Sequence, residues 1–196
     1  MNIKPRNQNT RRPLRKILIV CEGAQTEPNY FRSFRVASQV CEVKGTGYNT
    51  ASLVKEAKRI HAIDKSRYSE VWCVFDHDSF SAASIRSAYK LALEEGFKVA
   101  ASNECFELWY LLHYKFLDVA VNRDEYTKQL KKLLGDYQKN SLDMYEKLLM
   151  KQADAIRNAK RLKDQHHPMS DPCQCKPHTT VYALVERLNR LAKKAI

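Results

Sequence analysis

Apolar positions along the chain fall into short solid runs separated by stretches of helical period. The run Lys16-Ile-Leu-Ile-Val-Cys21 has the length of a strand and no polar alternation, so it predicts a strand buried on both faces. Val71-Trp72-Cys73-Val74-Phe75 predicts a second such strand, and residues 40–44 and 97–101 predict two more. Helical spacing fills the gaps. A helix begins near Thr26, with Thr26 as its N-cap, Pro28 tolerated in the first turn, and Tyr30, Phe31 and Phe34 as its buried stripe. Leu53, Val54, Ala57 and Ile60 mark the inner face of a helix over 50–63. Further helices are predicted over 82–95, stopped by Gly96, and over 104–114. Strands alternating with helices predict an α/β fold whose parallel sheet carries helices on both faces.

Beyond residue 118 the strand-like runs stop. Three helices are predicted, over 123–134, 142–163 and 179–194, and the last keeps Val181, Leu184, Val185, Leu188 and Leu191 on one stripe. The chain thus divides into a flexible arm over 1–16, an α/β domain over 17–118 and a helical extension over 119–196 that packs on it.

A length of 196 residues suits one domain with a real core, and 44% hydrophobic residues supply it. No apolar run approaches the roughly 18 residues of a membrane helix, and no apolar segment follows the basic start as a signal peptide requires. A cytoplasmic protein with no membrane partner is expected. Its six cysteines are then expected to be reduced thiols, with Cys21, Cys73 and Cys105 acting as small hydrophobes.

The net charge of +12 is unevenly spread. The arm carries Lys4, Arg6, Arg11, Arg12, Arg15 and Lys16 without an acid, and Arg157, Lys160 and Arg161 cluster in a later helix. Such surfaces attract phosphate polyanions by Coulomb forces and counterion release, although they also serve solubility alone. Arg11, Arg12, Arg15, Arg157, Lys160 and Arg161 are the candidate contacts for the backbone of DNA or RNA.

Acidic chemistry is expected where the strands end, because ligands of an open parallel sheet collect at the carboxyl edge. The first strand ends in Glu22-Gly23 and the third in Asp76-His77-Asp78. Residues two apart on a strand point the same way, so Asp76 and Asp78 can reach one metal. Carboxylates crowd together only with compensating positive charge, and Mg²⁺, or Mn²⁺, prefers such oxygen donors. Gly23 permits a sharp turn and leaves room for a phosphate. Read singly, Asp76 and Asp78 also suit turn or N-cap positions ahead of the next helix. Glu107, in a nearly all-apolar helix, needs a partner, either the metal site or a structural ion pair. His113 reads as a core histidine, and Glu27 as an acid favoured by a helix N-terminus. His166, His167, Cys173, Cys175 and His178 gather in a proline-rich segment, but Cys-x-Cys is not the usual zinc spacing, so a surface loop is expected and zinc is not.

The string Ile17-Leu-Ile-Val-Cys-Glu-Gly-Ala-Gln-Thr-Glu-Pro-Asn-Tyr-Phe31 resembles the opening of RloB-like proteins, bacterial proteins related to the Toprim fold. The resemblance continues in Val74-Phe-Asp-His-Asp78, in Ser102-Asn-Glu-Cys-Phe-Glu-Leu-Trp-Tyr-Leu-Leu-His113 and in Pro177-His-Thr-Thr-Val181. Glu104 departs from it, since the family commonly has Pro there. The resemblance implies a Toprim-like sheet with Glu22, Asp76 and Asp78 holding Mg²⁺; Glu107, from its apolar surroundings, is read as a fourth acidic group of that catalytic site. It implies a nuclease of antiviral defence acting with an AAA-type ATPase partner. A phosphatase or phosphotransferase, and a non-catalytic nucleic-acid-binding or regulatory subunit, remain as alternatives. Oligomeric state, including a homo-oligomer, is left open.

Overall fold

The computed structural model describes residues 15–38, 40–47, 49–77, 80–166 and 171–194. Arg11, Arg12, Asp78, His167 and nearly all of the basic arm lie outside the described residues.

Five strands form one sheet in the order β2-β1-β3-β4-β5. Strands β1 (Lys16–Cys21), β2 (Cys41–Gly45), β3 (Tyr68–Asp76) and β4 (Lys98–Asn103) are mutually parallel, and β5 (His178–Thr179) runs antiparallel to β4. The expected α/β architecture is therefore present, with β3 and β4 extended beyond their apolar centres.

The two-residue period of a strand assigns side chains to opposite layers. From β1, Leu18 and Val20 join the core formed with α2 (Thr50–Ile63) and α3 (Ala82–Glu94). Ile17, Ile19 and Cys21 face the other layer, where α1 (Thr26–Arg32), α4 (Glu107–Leu111), α5 (Arg123–Leu134), α6 (Met144–Leu148), α7 (Gln152–Gln165) and α8 (Val181–Lys194) contribute. Caps fix several boundaries. Asn49 and Asn122 accept hydrogen bonds from the backbone N–H of Ser52 and Glu125, and Ser81 accepts from Ser84.

The chain leaves β1 for β2 on one side, then crosses through α2 to β3 on the other side of β1. Reversal of winding places α1 and α2 on opposite faces and opens a crevice at the carboxyl ends of β1 and β3. Glu22 follows β1 and Asp76 closes β3, so both acids stand at this switch point.

Four expectations are corrected. Thr26 is the first helical residue rather than the cap, and its hydroxyl donates to Asn140 Oδ1 at 2.6 Å. The helix expected over 104–114 shrinks to α4, because residues 105–112 are buried throughout and an all-buried run has no period from which to read its ends. The helix expected over 142–163 is interrupted by a 3₁₀ turn at Leu149–Lys151, although no glycine or proline marks the break. The extension is not wholly helical. Its Thr179 pairs with Ser102 on β4, Thr180 donates its N–H to Ala101 O at 2.8 Å, and the Thr180 hydroxyl accepts from Ala101 N at 2.9 Å. That seam ties the extension to the sheet edge.

Among the described residues, no helix is long and apolar enough to cross a membrane. All six cysteines are free thiols. His113 is the expected core histidine. Its Nδ1 lies 2.9 Å from Trp109 O, and burial pushes its pKa down to about 4, so the ring is neutral.

Candidate active site

A cavity of about 530 Å³ opens at the switch point. Glu22, Glu27, Asp76 and Glu107 all line it, together with Gly23, Thr26, Asn49, Phe106, Arg123, Lys139 and Asn140. Three of the expected site residues, carried by different elements, therefore converge. Glu22 Oε2 lies 3.3 Å from Asp76 N and 3.5 Å from Thr50 Oγ1, so the turn after β1 meets the end of β3 directly.

Glu107 is 2% exposed and Asp76 7%, so neither carboxylate is stabilised by bulk water. Asp76 Oδ2 accepts from Arg123 at 2.9 Å. Glu107 Oε1 accepts from the Tyr137 hydroxyl at 3.3 Å. Burial and the Glu107 charge both hold the Tyr137 phenol in its protonated form, which keeps it a donor.

Glu27 takes part where only a helix-dipole role was expected. It is 5% exposed and lines the cavity. Burial raises its carboxyl above the ordinary range and the charge of Glu107 adds to the rise, while its own backbone N–H, Lys139 and Arg123 pull it down. Gly23 also makes room for Glu27, whose carboxylate a Cβ at position 23 would meet.

Among the described residues the lining carries four acids and two bases, an excess of negative charge when all are ionised that a divalent cation would offset. The donor set is all oxygen, as a hard cation requires, and in that respect the residues fit Mg²⁺. Among the described residues, no group of three or more His, Cys, Asp or Glu is closed around a metal position. Asp76 is instead engaged by Arg123.

The basic candidates lie elsewhere. Arg157 pairs with Asp154 and Lys160 with Glu186, each at 2.6 Å, and Arg161 stacks on Phe116 at 3.8 Å. None of them, nor Arg15, lines the cavity. The charges that do, Arg123 and Lys139, carry no sequence signal beyond the general basic excess. Glu104 is also outside it, 3.6 Å from Lys176. In the Cys and His segment, the Cys173 and Cys175 thiols point at the carbonyls of Ala82 and Asp171, and His166 Nε2 lies 3.1 Å from Pro177 O.

The family model described as RloB-like protein matches residues 17–188, from the first strand to near the end of the last helix. The chain belongs to the RloB-like family. No curated protein matches it, and no solved structure does. In this RloB-like chain the match runs through both halves of the cavity, the strand ends that bring Glu22 and Asp76 and the later segment that brings Arg123 and Lys139.

Proposed function

We propose that this RloB-like protein is a Mg²⁺-dependent, Toprim-type nuclease that hydrolyses nucleic-acid phosphodiesters in antiviral defence, with an AAA-type ATPase as its partner. The observation that carries the reading is the convergence of Glu22, Asp76, Glu27 and Glu107 on one cavity at the carboxyl edge of a parallel sheet. The defence role and the ATPase come from the family resemblance alone.

In this reading Glu22 and Asp76 would hold the ion; Asp78, the third ligand expected from the sequence, lies outside the described residues. A divalent cation held there would neutralise charge developing on a phosphodiester and steady the leaving oxygen. Tyr137 orients Glu107, which takes the proton released as water attacks phosphorus. The P–O bond to the leaving oxygen breaks, and that oxygen is protonated by solvent. Burial of Glu107 and Asp76 keeps bulk water from screening these charges.

The test is a titration of Mg²⁺ and Mn²⁺ against single- and double-stranded DNA and RNA, including transfer RNA, with the protein alone and with the ATPase. Metal-dependent cleavage of at least one substrate is expected, and none with either metal overturns the reading. One observation favours a second reading, a nucleic-acid-binding subunit without chemistry: Arg123 already neutralises Asp76 without a metal. Binding without cleavage selects it.

The two buried-contact glycines offer a separate check. Gly23→Ala obstructs only the far end of the flexible Glu27 side chain, so stability is expected to change by less than about 1 kcal/mol while hydrolysis falls about tenfold or more. Gly45→Ala meets the backbone oxygens of Ala24 and Gly23 at 2.7 and 2.8 Å and is expected to cost about 1–3 kcal/mol. Thermal melts beside initial rates separate the two.

A further inference from the structure

The proposed substrate is a polyanion, and the cavity it must enter is lined by four carboxylates. A phosphate approaches such a wall only where cations meet it. Two cations line the cavity, and both come from the segment after the four parallel strands: Arg123 opens α5, and Lys139 lies in the connection from α5 to α6.

That connection is held in place around Lys139. Asn140 adopts a left-handed conformation, φ 70°, which asparagine tolerates better than most residues. Its Oδ1 accepts from the Thr26 hydroxyl at 2.6 Å, and its backbone oxygen accepts from Asn29 Nδ2 at 3.1 Å. Two residues before Lys139, buried Tyr137 donates to Glu107. Lys139 itself is exposed, yet its charge acts on buried Glu27. An exposed lysine between three such anchors is aimed at the cavity. Arg123 donates to Asp76 Oδ2 at 2.9 Å, and 35% of its side chain is open to solvent. A guanidinium carries five donors in a planar fork that matches the oxygens of a phosphate.

We propose that Arg123 and Lys139 form a phosphate subsite for the nucleic-acid backbone, Arg123 reaching phosphate while it holds Asp76 and giving Asp76 up in exchange when a divalent cation takes the carboxylate. This rests on the phosphodiesterase reading but is tested without turnover.

Affinity for labelled single-stranded DNA and RNA oligonucleotides is measured in EDTA over a range of salt, for the wild type, Arg123→Ala, Arg123→Lys, Lys139→Ala and the control Lys128→Ala. Lys128 is an exposed lysine on α5 outside the cavity. Arg123→Ala and Lys139→Ala are each expected to bind about tenfold more weakly and to lower the salt slope by about 1. Arg123→Lys recovers part of the loss, because an ammonium lacks the planar fork. The control keeps wild-type affinity. Mn²⁺ alone is expected to bind Arg123→Ala several-fold more tightly than wild type, since a competitor for Asp76 is gone, whereas a merely structural role for Arg123 would weaken it. Lys139→Ala, at an exposed side chain, guards against a folding defect in the arginine variants. Unchanged oligonucleotide affinity and slope in Arg123→Ala and Lys139→Ala overturn the subsite, and unchanged or weaker Mn²⁺ binding in Arg123→Ala overturns the exchange. Failure of the wild type to cleave with metal would sink the hydrolase reading and leave these metal-free measurements standing.

Discussion

Glu22→Gln and Asp76→Asn are each expected to lower magnesium-dependent hydrolysis by on the order of 10²–10³-fold, the scale for removing one preorganised electrostatic group from an active site. Both are isosteric, so the loss does not come from a cavity. Glu22→Gln retains an oxygen acceptor for the Asp76 N–H, a contact of 3.3 Å, and removes one like charge from an acid-rich lining. Its melting temperature is therefore expected to match or exceed that of the wild type in EDTA. Asp76→Asn loses the charge that holds Arg123 at 2.9 Å and is expected to melt somewhat lower. Metal separates the variants from the wild type once more. A ligand that binds only the folded state stabilises it by RT ln(1 + [L]/Kd), about 2.7 kcal/mol at a hundredfold excess over Kd. Mg²⁺ should raise the wild-type melting temperature, and the double variant Glu22→Gln/Asp76→Asn should lose that response. Retained hydrolysis on DNA and RNA together with a retained metal response would remove both residues from the site.

The parts of this fold legible in the sequence are those whose apolar pattern has a period or a clear end. β1 is found at its full length because five unbroken buried residues, Ile17 to Cys21, lie between Lys16 and Glu22. α2 and α5 are found to the residue, since each has an asparagine cap and a one-sided apolar stripe. The ends of α4 are not legible because burial on every side erases the period. β5 leaves no sequence signal because two residues cannot show a period, and its contacts with β4 are made by hydroxyl and backbone groups. The site divides in the same way. Glu22 and Asp76 are legible because they close two strands at the same sheet edge, and Glu107 because an acid inside an all-apolar helix needs a partner. Glu27 was not, because an acid in a first helical turn has an ordinary explanation; the glycine four residues before it was the available signal. Arg123 and Lys139 reach the cavity only through tertiary packing of α5 and the connection after it, and one arginine among many in a basic chain does not announce a partner on β3.

The largest stability effect is expected at Trp109. It is fully buried in the core between the sheet and the later helices, with its ring edge-on to His113 at 4.9 Å between centroids. Trp109→Ala is expected to cost about 3–5 kcal/mol, because the layer around it is built from several elements and cannot collapse into the space left. That is a large share of the roughly 5–15 kcal/mol that holds an ordinary domain folded. Trp109→Phe is expected to cost less, on the order of 1–2 kcal/mol. It keeps an aromatic ring in the same buried layer while giving up the indole N–H. Urea unfolding followed by circular dichroism reads both, with equal slopes confirming that stability alone has changed. An alanine variant within about 1 kcal/mol of the wild type would mean that this core is not the one that holds the sheet to its helices. The effect also reaches the site. α4 is a single five-residue helix, and Trp109 lies two residues after Glu107 on it, so the packing that anchors the indole also fixes the carboxylate against Tyr137. Trp109→Phe should therefore keep most of the hydrolysis seen in the wild type, whereas Trp109→Ala should lose hydrolysis even at temperatures where it remains folded.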